Sequence, residues 1–296
     1  MMKLNWKRLG LIAGLSLTLA AAGCGSDEGG SDSVSKDVDY KITGIEPGAG
    51  VFQASEKALD EYGLDGWEVQ ASSSGAMATA LGEAISNEEP IIVTGWSPHW
   101  KFSKYDLKYL DDPKGVFGEE ETIGTMVREG LETEAPGAYT VLDQFAWESD
   151  DIESVMLEIQ NGTDPAEAAQ AWVDENEDAV AEWTDGAEEG NGDEIELAYV
   201  EWDTEIASTN VVKLALESIG YEVTITPLDN AVMWQAVANG EADGMVAAWL
   251  PGTHGELYEE YKDKLVDLGP NLEGAKIGLV VPSYMDIDSI EDLEAK

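Results

Sequence analysis

Ala248-Trp249-Leu250-Pro251-Gly252-Thr253-His254 closes an apolar, strand-like run that begins near Gly244. It sets a tryptophan where the strand ends and a Trp-x-Pro turn follows. Gly95-Trp96-Ser97-Pro98-His99-Trp100 has the same construction after Ile91-Ile92-Val93. Val200-Glu201-Trp202-Asp203 puts a third indole after the strand-like Ile195 to Val200. In an open α/β sheet, the carboxyl ends of the strands carry the loops that face a ligand crevice. Three indoles presented there suit an apolar ligand with a permanent positive charge, the chemistry of quaternary ammonium recognition.

Outward from these turns, the chain contains the same passage twice. Lys41 to Ile45 reads as a strand, Val51 to Tyr62 as a helix, Trp67 to Val69 as a strand and Ala76 to Ser86 as a helix, ahead of the strand ending at Trp96. Ile195 to Val200, Ile206 to Ile219, Tyr221 to Ile225 and Ala231 to Asn239 repeat that order ahead of Trp249. Alternating strands and helices call for parallel βαβ units. The expected fold class is therefore α/β, with two α/β lobes.

Between the halves, Thr122 to Arg128 reads as a strand crossing from one lobe to the other. Helices are expected at Ala138–Trp147, Ile152–Gln160 and Pro165–Trp183, the last opened by the cap pair Asp164-Pro165. Trp147, Trp172 and Trp183 fall on or near these helices and read as core, as do Trp67, Trp100 and Trp234. Gly278 to Pro282 reads as the return crossing. The resulting division is lobe 1 over 40–125 plus 283–296 and lobe 2 over 126–282. Two crossings make a hinged clamp.

Gly48-Ala49-Gly50 precedes the first helix, and free N–H groups at a helix N-terminus attract an anion. The backbone of Gly50 and Val51 is placed there. His254, five residues past Trp249, is positioned to donate a hydrogen bond to the same anion. An exposed histidine titrating near pH ~6.5 makes binding of a carboxylate equal or better at pH ~6 than at pH ~8. His99 reads as ordering its own turn.

Residues 1–23 have the pattern of an export leader: Lys3, Lys7 and Arg8, then a short apolar run from Leu9 to Ala22. The run is shorter than the roughly 20 apolar residues that span a bilayer. Leu19-Ala20-Ala21-Ala22-Gly23-Cys24 resembles a bacterial lipobox, with Ala21 departing from the commoner leucine. That resemblance implies cleavage before Cys24 and a lipid on its thiol. Cys24 is the only cysteine, so no disulfide forms within the chain. Residues 24–39, rich in Gly, Ser and Asp, read as a flexible tether.

The charge balance is 16 Lys+Arg against 61 Asp+Glu, a net −45, and removal of the leader makes it more negative. Nucleic acid is excluded as a partner, because its phosphates are repelled. The acids are dispersed, as in Asp174-Glu175-Asn176-Glu177-Asp178, and read as a solvated surface suited to strong salt. A salt-adapted bacterial source follows. No Gly-x-Ser-x-Gly elbow, His-Glu-x-x-His helix, Walker A loop or Cys/His cluster is present. The reading is of a binding protein without catalytic residues, cofactor or metal.

The motifs Gly44-Ile45-Glu46-Pro47-Gly48-Ala49-Gly50, Gly95 to Trp100, Trp202-Asp203-x-Glu205-Ile206-Ala207-Ser208-Thr209 and Ala248 to His254 together resemble the glycine betaine-binding lipoproteins of osmoprotectant ABC importers. The resemblance covers residues 40–296 and the lipobox. It implies a type II solute-binding fold and a trimethylammonium caged by Trp96, Trp202 and Trp249. It further implies a ligand carboxylate held by the Gly50 and Val51 N–H groups and by His254. The expected setting is a lipid-anchored monomer on the outer face of the cell membrane, delivering glycine betaine to permease and ATPase subunits. Proline betaine, carnitine, choline and ectoine stay open as ligands, and so does a sensor role at a membrane receptor.

Overall fold

The structure is a computed structural model that describes residues 33–296. The leader, Cys24 and residues 25–32 lie outside the described residues. The first half comprises α1 (Val34–Asp37), β1 (Lys41–Thr43), α2 (Gly50–Glu61), β2 (Glu68–Gln70), α3 (Ser74–Asn87), β3 (Val93–Ser97), α4 (Trp100–Lys104) and β4 (Leu107–Tyr109). Then come β5 (Glu121–Arg128), α5 (Leu131–Glu134), α6 (Pro136–Gln144), α7 (Ser149–Gln160), α8 (Pro165–Glu175) and α9 (Glu177–Thr184). The repeat follows as β6 (Glu194–Tyr199), α10 (Asp203–Ser218), β7 (Glu222–Pro227), α11 (Asn230–Ala238), β8 (Gly244–Leu250) and α12 (Gly255–Tyr261). β9 (Leu265–Pro282) is the last strand.

One sheet runs β2-β1-β3-β9-β5-β8-β6-β7, with β4 also on β9. In each half the first strand lies between the second and third, all parallel. An antiparallel strand then flanks the third: β9 on β3, and β5 on β8. This twofold order, 2-1-3 followed by an antiparallel crossing strand, is that of a type II solute-binding fold. β8 is buried along almost its whole length, as expected for a strand covered on both faces. The third strands of both halves end at the tryptophan turns and run in opposite directions, so their carboxyl ends face each other near the middle of β9: Trp96 lies opposite Ile277, and Trp249 opposite Ile123, which itself pairs with Leu272.

Three differences from the sequence reading have local causes. Residues 34–39, counted as tether, fold back: α1 buries Ser35 and Val38, and Ser35 Oγ accepts the N–H of Glu294 at 2.8 Å. The helix expected over 165–183 breaks at Asn176, whose side chain donates to the Trp172 carbonyl at 2.8 Å. An Asn competing for helix carbonyls in this way ends the helix. The return crossing is far longer than Gly278–Pro282, because β9 pairs with β5 through Ala275 and with β3 from Lys276 onward. Its first part is only half buried, so it carries little apolar pattern. Residues 276–282 therefore hydrogen-bond within the first half.

Trp147, Trp172 and Trp183 form an aromatic core with Phe145 among α6 to α9. Trp172 and Trp183 stack at 5.7 Å and 9°, while Trp147 meets Trp172 edge-on at 5.7 Å. All three are buried, in agreement with the core reading, and they also line a second cavity beside Asn271 and Leu272.

Candidate ligand-binding site

Trp96 closes β3, and the next peptide, Ser97-Pro98, is cis; Trp249 lies near the end of β8 ahead of the equally cis Leu250-Pro251. Trp202 is the N-cap residue of α10. The three indoles converge with Gly50 and Val51, the first two residues of α2. Together with Ile45, Ala49, Thr253 and Ile277 they wall a small cavity. Its lining is almost wholly apolar. Five of the expected site residues thus meet in one place.

The α2 terminus supplies the polar part. Its N-cap, Ala49, has no side chain able to cap. Ala49 O takes the N–H groups of Phe52 (3.1 Å) and Gln53 (3.2 Å), and among the described residues no backbone acceptor serves Gly50 or Val51. Two donors therefore stand free at the positive end of a helix dipole, beside the cavity. Gly50 is required by close approach: a Cβ there comes within 2.5 Å of the Thr253 carbonyl oxygen.

Each indole has a distinct backing. Trp249 Nε1 donates to Glu205 Oε1 at 2.7 Å, and Trp202 Nε1 donates to Glu46 Oε2 at 3.2 Å. Trp96 Nε1 is buried without a partner. Lys101 Nζ lies 4.2 Å from the Trp96 ring centroid and donates to the Trp96 carbonyl at 3.3 Å. Burial takes the Lys101 ammonium down to about 7, against the opposing charges of Asp203 and Glu153. Burial also pushes the Glu205 carboxyl up to about 7, against hydrogen bonds from Thr204 and Trp249.

His254 is placed differently from the expectation of an exposed loop residue. It is 1% exposed and does not line the cavity. Its ring stacks on Trp202 at 5.9 Å and meets Trp234 edge-on at 5.7 Å. Nδ1 accepts the N–H of Trp249 at 3.1 Å, and Nε2 is buried without a hydrogen bond. The proton of the neutral ring therefore sits on Nε2, a donor without an acceptor. Burial takes the imidazole down to about 3, with the Ala247 backbone a weaker opposing influence. The ring is neutral at physiological pH, which removes the expected gain on protonation. His99 does order its turn, accepting the N–H of Lys101 at 3.1 Å as N-cap of α4.

Several contacts bridge the halves around the cavity. Asp203, opening α10, accepts from Trp100 Nε1 at 2.7 Å and Ser74 Oγ at 2.6 Å. Burial by itself pushes this carboxyl up. The pull of His99 Nε2, 3.5 Å away, and the Ser74 and Trp100 hydrogen bonds outweigh it and hold the group below the usual carboxylate range. Glu153 of α7 accepts from the His99 N–H at 3.2 Å and Ser103 Oγ at 2.9 Å. Glu121, at the start of β5, accepts the N–H groups of Gly252 and Thr253 at 2.6 Å each, plus the Thr253 hydroxyl. Asp203 stands in two of the sequence motifs, but sequence reasoning gave none of these carboxylates a role at the site. The one usable signal was Glu205 in the first turn after Trp202.

Comparison with known proteins bears on this geometry. The family model described as OpuAC, substrate binding domain of ABC-type glycine betaine transport system, matches residues 25–175 and 193–296. The glycine betaine/carnitine transport binding protein GbuC of Listeria monocytogenes is 52% identical over 290 residues, 96% of each chain. Lactococcal OpuAC, solved in a closed form with glycine betaine, is 56% identical with TM-score 0.47, over 49% of this chain and 58% of that one. A choline-binding protein of an ABC transporter, solved with choline, is 29% identical with TM-score 0.46, over 52% of this chain and 55% of that one. The chain thus spans a little over half the length of these two solved structures.

Proposed function

From the premise that the chain belongs to the family of substrate-binding domains of ABC-type glycine betaine transport systems, we propose that it captures glycine betaine outside the cell for import. The family is one of transport binding proteins rather than enzymes. One observation carries the choice of ligand. Three indoles and two unpaired N–H donors at a helix N-terminus meet at a single small cavity. The indoles suit a trimethylammonium group, and the donors suit a carboxylate. A zwitterion carrying both within a few bonds fits the pair.

In this reading Trp96, Trp202 and Trp249 cage the cation, and Gly50 and Val51 hold the carboxylate through their backbone. The buried Nε2–H of His254 is a third donor to that carboxylate, reached when the ligand settles against Trp202. The two lobes close around it by bending at β5 and β9. The leader 1–23 is removed and Cys24 carries the lipid that keeps a monomer at the outer membrane face, beside its permease and ATPase.

Titration calorimetry with glycine betaine, proline betaine, carnitine, choline and ectoine tests the assignment. Choline has the same head group and a hydroxyl in place of the carboxylate, so it should bind much more weakly than glycine betaine. Choline binding as tightly as glycine betaine refutes the two-ended site. Tightest binding by carnitine or ectoine refutes the assigned ligand.

A further inference from the structure

Glu205 is a carboxylate 1% exposed to solvent, and among the described residues no Lys, Arg or His pairs with it. Its two hydrogen-bonding partners are neutral: the Trp249 indole N–H at 2.7 Å and the Thr204 hydroxyl. Burying an ionised carboxylate without a countercharge is expensive. Glu205 meets the N–H edge of Trp249, one of the indoles that wall the ligand cavity, and is not itself part of the wall. Glu46 repeats the arrangement on Trp202, again through the indole N–H, at 3.2 Å.

We propose that Glu205 and Glu46 form an anionic layer behind the tryptophan cage, one that selects for positive charge on the ligand without touching it. This deepens the reading above and rests on it. Two physical effects act together. A charge-assisted hydrogen bond to the indole N–H draws the ring's electrons toward the face, strengthening the negative pole that holds a cation. The carboxylate charge also acts through the ring itself, in a dry interior where Coulomb attraction is weakly screened. The ligand's ammonium becomes the countercharge that the protein does not supply. Trp96 differs: it lacks a carboxylate on its nitrogen and has Lys101 beside its ring, so the cage's attraction is concentrated on the Trp202 and Trp249 sides.

The test compares two ligands of one shape. Glycine betaine and 3,3-dimethylbutanoate share the carboxylate and the three methyl groups, and differ only in quaternary nitrogen against quaternary carbon. Both are titrated calorimetrically at pH 8, above the value of about 7 to which burial pushes the Glu205 carboxyl, into the full-length protein and its Glu205→Gln variant, which keeps an acceptor for Trp249. Loss of a nearby buried charge, at an effective dielectric near 20, changes the affinity for a cation by roughly ten-fold or more. Glu205→Gln should therefore weaken glycine betaine by about that factor and leave 3,3-dimethylbutanoate as tight or tighter. Equal weakening of both ligands, or no change in either, overturns the proposal. If Glu205→Gln does not fold, the half-buried Glu46→Gln carries the same comparison at Trp202, with the same outcome required. A wild-type protein that ignores glycine betaine overturns the functional reading as well. Tight wild-type binding with no charge discrimination in the variants overturns this inference alone.

Discussion

At the residue scale, two sets of tryptophans among the described residues differ in what their faces meet. Trp96, Trp202 and Trp249 turn toward the cavity, whereas Trp147, Trp172 and Trp183 pack on one another and on Phe145. Alanine at any cavity tryptophan should cost about 2–4 kcal/mol of binding, roughly 30- to 1000-fold, with phenylalanine recovering much of it. Alanine in the second set should cost about 3–5 kcal/mol of stability and spare affinity in the folded fraction. Calorimetry beside thermal melts separates the two, and identical behaviour of the sets refutes the division. His254, down at about 3, contributes no step between pH 5 and 8. Glu205 and Lys101 both titrate near 7 by the cavity. Among their neighbours, Asp203 stays ionised and His99, down at about 4, stays neutral over this range. Glu153 also faces Lys101. As pH rises through 7, Glu205 gains a negative charge and Lys101 loses a positive one, and both changes favour a bound cation. Glycine betaine affinity should therefore rise from pH 6 to pH 8, opposite in sign to the expectation of a protonating His254. Affinity that falls over that range contradicts the burial of these groups.

At the scale of elements, each site residue is held by a strand end or a helix end, where backbone groups are unpaired and side chains can aim. The turn after β8 is the most dependent on a single distant group. Glu121 binds it through Gly252, Thr253 and the Thr253 hydroxyl, and Thr253 is part of the cavity wall. Glu121→Ala should leave these donors without an acceptor, at about 1–3 kcal/mol. The melting temperature should fall, and ligand affinity with it, although residue 121 touches no ligand. Glu121→Gln should recover part of both. A variant with unchanged affinity shows that the turn holds its place by its own backbone.

For the whole molecule, the halves share one sheet and are tied across the cavity by Asp203, Glu153, Glu46 and Asn230. Most other carboxylates are spread over the surface, where the few basic residues can pair with only a small share of 61 acids. Their mutual repulsion opposes the compact state and weakens as salt shortens the Debye length from about 10 Å at 0.1 M to about 3 Å at 1 M. The melting temperature should therefore climb between low and molar salt, for example from 0.05 M to 1 M potassium chloride. A flat or falling midpoint removes the reading of a salt-adapted surface.

The sequence alone determined the doubled βαβ order and the helices that follow each strand, because both depend on local periodicity and turn chemistry. It also identified the three indoles and the α2 terminus, since Trp-x-Pro after an apolar run and glycines before a helix are short-range signals. Only the tertiary structure decided which carboxylates matter. Glu205, Glu121 and Asp203 look like any of the 61 acids until folding sets them against Trp249, Thr253 and Trp100. The same holds for His254: its neighbours in sequence imply an exposed loop, and only the packing of Trp202 and Trp234 from elsewhere in the chain removes its water. The length of β9 was equally hidden, because a half-buried strand is specified by its hydrogen-bonded partners β5 and β3 rather than by its own apolar pattern. Burial and charge pairing are properties of residues far apart in the chain, and no local reading contains them.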